Sequence, residues 1–322
     1  MSDNIVKLKS VKAPKLPAIA VSLLVLLGFL TVFYIADRKI VHPLNLKIIF
    51  YIAAIMLPVG LGQSFAVLIG GIDLSVGGII SMVSLVNIML LPVMGLWAFP
   101  VSILIASVCG LINGLLLVGC RIPSFLLTLG TGGVFTSITY LINAAPMNYP
   151  GSCMKYAEFF NGSAGPVKLA WIWALVFFAL IFCLQKFTYF GRTIYAVGVN
   201  ERMAWMSGVS VKRTRILAYV LSAAGAGLAG LILSSRLYSG SAVFGNSYIL
   251  ESIACVVIGG IAMTGGSGNA LNVLIGAVTM GIIKNGLTIA GVDVMAQQCF
   301  LGVLIILAVA ITFDRSKLTI VK

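Results

Sequence analysis

The sequence predicts an all-α polytopic membrane protein of about ten transmembrane helices, some interrupted by glycine, with N- and C-termini cytoplasmic. Three observations predict it. Of 322 residues, 60% are hydrophobic and only 9% charged, whereas a soluble domain carries about 25% charged residues. Apolar runs of about twenty residues, the length that crosses a bilayer, recur along the chain. The 21 lysines and arginines flank these runs instead of gathering on one face.

Taken in order, the first element is "MSDNIVKLKSVKAPKLP", four lysines ahead of an apolar run with no small-residue cleavage site. It reads as a cytoplasmic segment, 1–16, before an uncleaved first span. The ten expected spans are 17–36, 48–70, 73–96, 98–119, 124–143, 169–188, 214–235, 248–265, 270–290 and 294–313. With the N-terminus inside, fourteen Lys and Arg fall on inner segments, six on outer ones, and Lys284 within a span. The positive-inside rule therefore places both termini in the cytoplasm. No linker or tail is long enough to fold separately, so residues 1–322 are expected to form one transmembrane domain. The longest outer segment holds Cys153, where an impermeant thiol reagent is expected to reach it.

The largest cytoplasmic loop, 187–213, contains "GVNERMAWMSGVSVKRTRI". Asn200 is a natural N-cap, and Glu201 follows in the first turn, where the helix dipole favours an acid. Gly208 suits a left-handed C-cap, and Ser210 a cap for the next helix. The implied helix, 201–207, is too short to be stable alone in water. Either Trp205 and the methionines rest it on the membrane surface, or it docks a cytoplasmic partner.

Within the second and third spans, "VLIGGIDLSVGG" (67–78) sets a carboxylate between glycine pairs and recurs as "VVIGGIAMTGGS" (256–267), offset by 189 residues. Paired glycine-interrupted segments point toward the central pathway of a transporter. Asp73 is expected to N-cap the helix that follows it. The alternatives are a polar group lining a solute path and a proton-coupling carboxylate. Asn87, Asn113 and Asn285 bridge helices or face a hydrophilic path. Lys284 snorkels outward or meets solute. Glu251, at the start of a span, is expected to be half immersed. The small residues of "SAAGAGLAG" (222–230) favour close helix packing.

Some chemistries are excluded. The +13 formal charge is spread along the spans, which argues against nucleic acid. Five of six cysteines lie in or at the ends of apolar segments, without CxxC spacing, and His42 is the single histidine; no metal site or cofactor is expected. The sequence lacks a Gly-x-x-x-x-Gly-Lys-Ser/Thr phosphate loop, so the chain does not itself hydrolyse ATP.

Several stretches together resemble one family, the permease subunits of ABC importers for sugars of the ribose, galactose and xylose type. They are "GGIDLSVGGIISM", "RIPSFLLTLGT", "GRTIYAVGVN", "SGVSVKRTRI" and "ESIACVVIGGIAMTGGSGNALNVLIGAVTMGIIKNGL", in order over about 45–310. The resemblance implies a bacterial cytoplasmic-membrane importer for a monosaccharide or similar hydroxylated solute. Its partners would be a second permease copy or sibling, cytoplasmic ATPase subunits and an extracytoplasmic sugar-binding protein, with lipid around it. It also implies that Asn200, Glu201, Arg202, Ser207 and Gly208 form the element coupled to the ATPase. Asp73, Asn87, Asn113, Lys284 and Asn285 are candidates for the substrate path. The chain departs from the family's usual pattern at Val199, at Ile249-Leu250-Glu251, at Lys284 and near Thr136-Ser137, which bears on the solute. A nucleoside or signalling-sugar permease of the same architecture is the alternative. From another class, the alternative is an ion-coupled secondary transporter.

Overall fold

A computed structural model describes residues 18–312. The lysines of 1–16 and the basic residues Arg315, Lys317 and Lys322, which contributed to the predicted orientation, lie outside the described residues.

The chain folds into helices in the order α1 (Ala18–Ala36), α2 (Pro43–Leu68), α3 (Val76–Met94), α4 (Ala98–Cys120), α5 (Ser124–Ile142), α6 (Met154–Asn161) and α7 (Leu169–Phe187). There follow α8 (Tyr189–Val199), α9 (Glu201–Met206), α10 (Val211–Leu237), α11 (Asn246–Ile258), α12 (Ala270–Ile289) and α13 (Val294–Thr312). Among the described residues, seven stretches are long and apolar enough to cross a membrane, one of them the 45 residues Val76–Cys120, which hold both α3 and α4. The protein is therefore all-α and polytopic, as predicted.

The eighth expected span, 248–265, differs. Its helix α11 has 13 residues and ends at Ile258. At 1.5 Å per residue that is about 20 Å, short of a ~30 Å hydrocarbon core. Glycines stop it: Gly260, Gly265, Gly266 and Gly268 all have positive φ, a region that residues with a Cβ rarely adopt.

α10 forms the centre of the bundle, packed on α2, α3 and α4. Its small-residue stripe lets backbones touch. A Cβ on Gly62 of α2 would lie 2.6 Å from the Ser222 carbonyl oxygen, and one on Gly110 of α4 would overlap that of Tyr219. Lipid gives no hydrophobic drive between helices, so such close packing supplies much of the cohesion.

One end of the bundle carries α6, held down by polar bonds. Tyr51 donates to Asn161 at 3.0 Å, and Asn161 donates to Tyr238 at 2.8 Å. Phe99, Phe159, Phe160 and Trp173 stack beneath. Cys153 is only 3% exposed there, so the accessibility expected for this thiol is not found. α8 and α9 lie within the predicted 187–213 loop and form the opposite end.

Candidate functional site

Between α2 and α3 the chain unwinds for residues 69–75. α2 ends in a hydrogen-bonded cap, with Gly70 N–H donating to Val67 O and Gly71 N–H to Ala66 O, and Gly70 at φ 74°. The next four N–H groups leave helical pairing, and in an apolar bundle each must find another acceptor. Each one does. Ile72 N–H donates to Ser124 Oγ at 3.1 Å and Leu74 N–H to Thr128 Oγ1 at 2.9 Å. With its amide oriented to satisfy both groups, Gln63 accepts from Asp73 N–H at 3.3 Å and donates to Asp73 O at 3.0 Å. Ser75 N–H donates to Asp73 Oδ1 at 3.0 Å. Side chains from α2 and α5 thus hold an extended segment inside the bundle.

Asp73 is not the N-cap the sequence predicts. Helix α3 begins at Val76 with Ser75 in the cap position, and Asp73 closes a local turn two residues earlier. Its Oδ1 also accepts from Ser75 Oγ at 2.6 Å, and Asn113 donates to that hydroxyl at 2.8 Å. Asp73, Ser75, Asn113 and Ser222 are all wholly buried. Asn113 Oδ1 has no hydrogen-bond partner, and Ser222 faces Asp73 as Ser124 faces Tyr219, polar neighbours that fall short of full hydrogen-bond geometry. Incompletely bonded polar groups thus collect around one broken helix, the kind of surface a hydroxylated molecule can satisfy.

The second glycine segment repeats the cap, one residue later than the sequence echo suggests. Gly260 N–H donates to Val257 O and Ile261 N–H to Val256 O, so the structural offset is 190 where the sequence offset is 189. Met263, not Ala262, then stands opposite Asp73, and neither is acidic. Tyr195 donates to Gly268 O at 2.7 Å, Ala270 N–H to Gln185 Oε1 at 2.8 Å, and Asn269 with Asn272 forms a capping box for α12.

The two breaks touch: Gly266 N–H donates to Leu68 O at 2.8 Å. Gly198, at the end of α8, lies against the same point. A Cβ there would overlap Leu68 O and come within 2.5 Å of Gly266 N. α8 leads into α9 through Asn200, whose Oδ1 accepts from Met203 N–H at 3.0 Å, the predicted cap. Gly208 has φ 82°, the predicted left-handed turn. Ser207 donates to Met203 O at 3.0 Å, and Glu201 pairs with Arg215 of α10. Ser210 occupies the cap position of α10 but makes no side-chain cap bond. Around α9, Val199, Met203, Trp205 and Met206 are each at least 65% exposed.

The remaining predicted path residues lie elsewhere. Asn87 donates to Tyr149 Oη at 3.3 Å, about 17 Å along α3 from its start at Val76 by helical rise. Lys284 does not snorkel outward: it donates to Glu251 Oε1 at 2.7 Å, with the Tyr248 ring 5.5 Å away. Glu251 is 1% exposed rather than half immersed. Asn285 is buried, with Nδ2 unpartnered. The structure therefore joins Asp73 and Asn113 but not the other three. Gln63, Ser124, Thr128, Tyr219 and Ser222 were missed, although Ser124 and Thr128 lie in the "RIPSFLLTLGT" motif. Among the described residues no group of three His, Cys, Asp or Glu is placed to hold a metal.

A protein family described as "Branched-chain amino acid transport system / permease component" matches residues 45–309. The chain belongs to this permease family. It is 34% identical over 276 residues to the D-allose transport system permease protein AlsC of Escherichia coli, covering 85% of this chain and 84% of that one. The ribose import permease protein RbsC of Bacillus subtilis is 33% identical over 292 residues, 88% of each chain. The galactose/methyl galactoside import permease protein MglC of Escherichia coli is 30% identical over 309 residues, 89% of this chain and 91% of that one. No solved structure matches. The chain is thus a transport permease and a multi-pass membrane protein, similar over most of its length to permeases named for sugar import.

Proposed function

We propose that this permease gives a monosaccharide, or a hydroxylated solute of similar size, its path across the bacterial cytoplasmic membrane. ATP is hydrolysed on separate cytoplasmic subunits, a second permease completes the path, and a sugar-binding protein delivers solute at the α6 end. The relatives' names, which span allose, ribose and galactose, support the solute class. One observation carries the coupling: α9 is fixed at both ends, exposes an apolar surface, and adjoins through Gly198 the point where both glycine breaks meet.

In this reading α9 seats in the ATPase, and closure of the ATPase moves α8 against the Leu68–Gly266 contact. The two breaks then shift together, changing which side the polar groups around Asp73 face. Solute, binding protein and ATP each bias that equilibrium by binding one state better. Trp205→Glu tests the docking. It puts a charge on an exposed apolar surface outside the bundle, so membrane insertion should persist while co-purification of the ATPase subunits falls at least tenfold. Unchanged co-purification would place the ATPase contact elsewhere.

A further inference from the structure

A cavity of about 790 Å³ lies between the first break, the turn after α4, α9 and the start of α10. Its walls carry Arg121, Arg202, Lys212 and Arg215, with Glu201 as the sole acid. Glu201 is already paired with Arg215, so among the described residues Arg121, Arg202 and Lys212 have no carboxylate partner. The positive-inside rule explains why cations lie at this end, but not why four from three separate segments line the same cavity.

Two further features point into it. Arg121 holds a left-handed backbone conformation, φ 55°, which is unfavourable for a residue with a Cβ and yet brings a guanidinium to the wall. Tyr219, wholly buried, lines the same cavity, with the Ser124 hydroxyl as the polar neighbour of its own. Guanidinium groups bind the oxygens of phosphate in pairs, and a phenol adds a neutral donor. The volume is in the range that takes a small-molecule ligand.

We propose that this cavity, which opens beside the first break, is a binding site for a phosphate ester. The site rests on the reading above only for its cytoplasmic sidedness. A bound phosphate would join Arg202 of the coupling element to Arg121 and to the wall made by Gly70 and Gly71. Occupancy would thereby restrain α9 relative to the first break. The phosphate has two possible sources: the headgroup of an anionic lipid of the inner leaflet, or a free phosphorylated metabolite of the cytoplasm.

The test uses the purified permease alone, in nanodiscs of phosphatidylcholine, with thermal unfolding as the readout. Inorganic phosphate and glucose 6-phosphate are titrated against sodium chloride at matched ionic strength. A parallel series replaces part of the lipid with phosphatidylglycerol. Stabilisation by the soluble phosphates assigns the free source, and stabilisation by phosphatidylglycerol alone assigns the headgroup. In either case Arg121→Gly, which suits the left-handed backbone, and separately Lys212→Gln should weaken the response at least tenfold in concentration. A response to neither probe, or one that survives both substitutions, would overturn the site. No ATPase is present, so failure of the coupling reading would show only in co-purification and leave this result standing.

Discussion

Asp73 is wholly buried, and one of its carboxylate oxygens takes two hydrogen bonds from Ser75. Asparagine keeps that acceptor and replaces only the other oxygen, which faces the Ser222 hydroxyl, with a donor that a hydroxyl can meet. Asp73→Asn should therefore fold and retain most uptake. Asp73→Ala strands the Ser75 N–H in a buried site and should cost about 1–3 kcal/mol, seen as a lower melting temperature and lower uptake. A well-folded Asp73→Asn without uptake would show that the negative charge itself serves the solute. Sequence alone made Asp73 conspicuous but placed it at the wrong cap position. The acceptors that keep 72–75 extended come from Gln63, Ser124 and Thr128, and their proximity depends on tertiary packing. Lys284 and Glu251 were misread for the same reason: each looked like an interfacial residue until α11 and α12 placed them 2.7 Å apart.

Among the elements, α9 was the most legible, because capping is local chemistry: Asn200, Glu201 and Gly208 mark its two ends without reference to the rest of the fold. The junction at Gly198 was not, because it consists of three backbones meeting from positions 68, 198 and 266, far apart in sequence. Its steric character makes a sharp prediction. In Gly198→Ala the new methyl would collide with Leu68 O, prising α8 from both breaks while leaving the exposed surface of α9 unchanged. ATPase association should persist, whereas transport per ATP hydrolysed should fall at least tenfold, read by parallel uptake and phosphate-release assays. Wild-type coupling in Gly198→Ala would remove the junction from the transmission path.

For the whole molecule, the apolar runs made the helical, membrane-spanning character plain, but run length hid the shortness of α11 because glycine counts as nonpolar while ending the helix. Orientation was read from charge, and Ser152 gives a way to check it, since it is exposed at the α6 end where Cys153 is buried. A membrane-impermeant maleimide should label Ser152→Cys in intact spheroplasts and gain little on permeabilisation. Labelling only after permeabilisation would invert the topology.

The central claim is that this bundle moves sugar only when a separate ATPase drives it through α9. The most direct measurement is uptake of radiolabelled ribose, allose or galactose into proteoliposomes containing the permease. The account predicts no concentrative uptake from the permease alone under a proton or sodium gradient. It predicts ATP-dependent uptake of at least one of these sugars once the ATPase subunits and the sugar-binding protein are added. Accumulation by the permease alone, driven by an ion gradient without ATP, would contradict it.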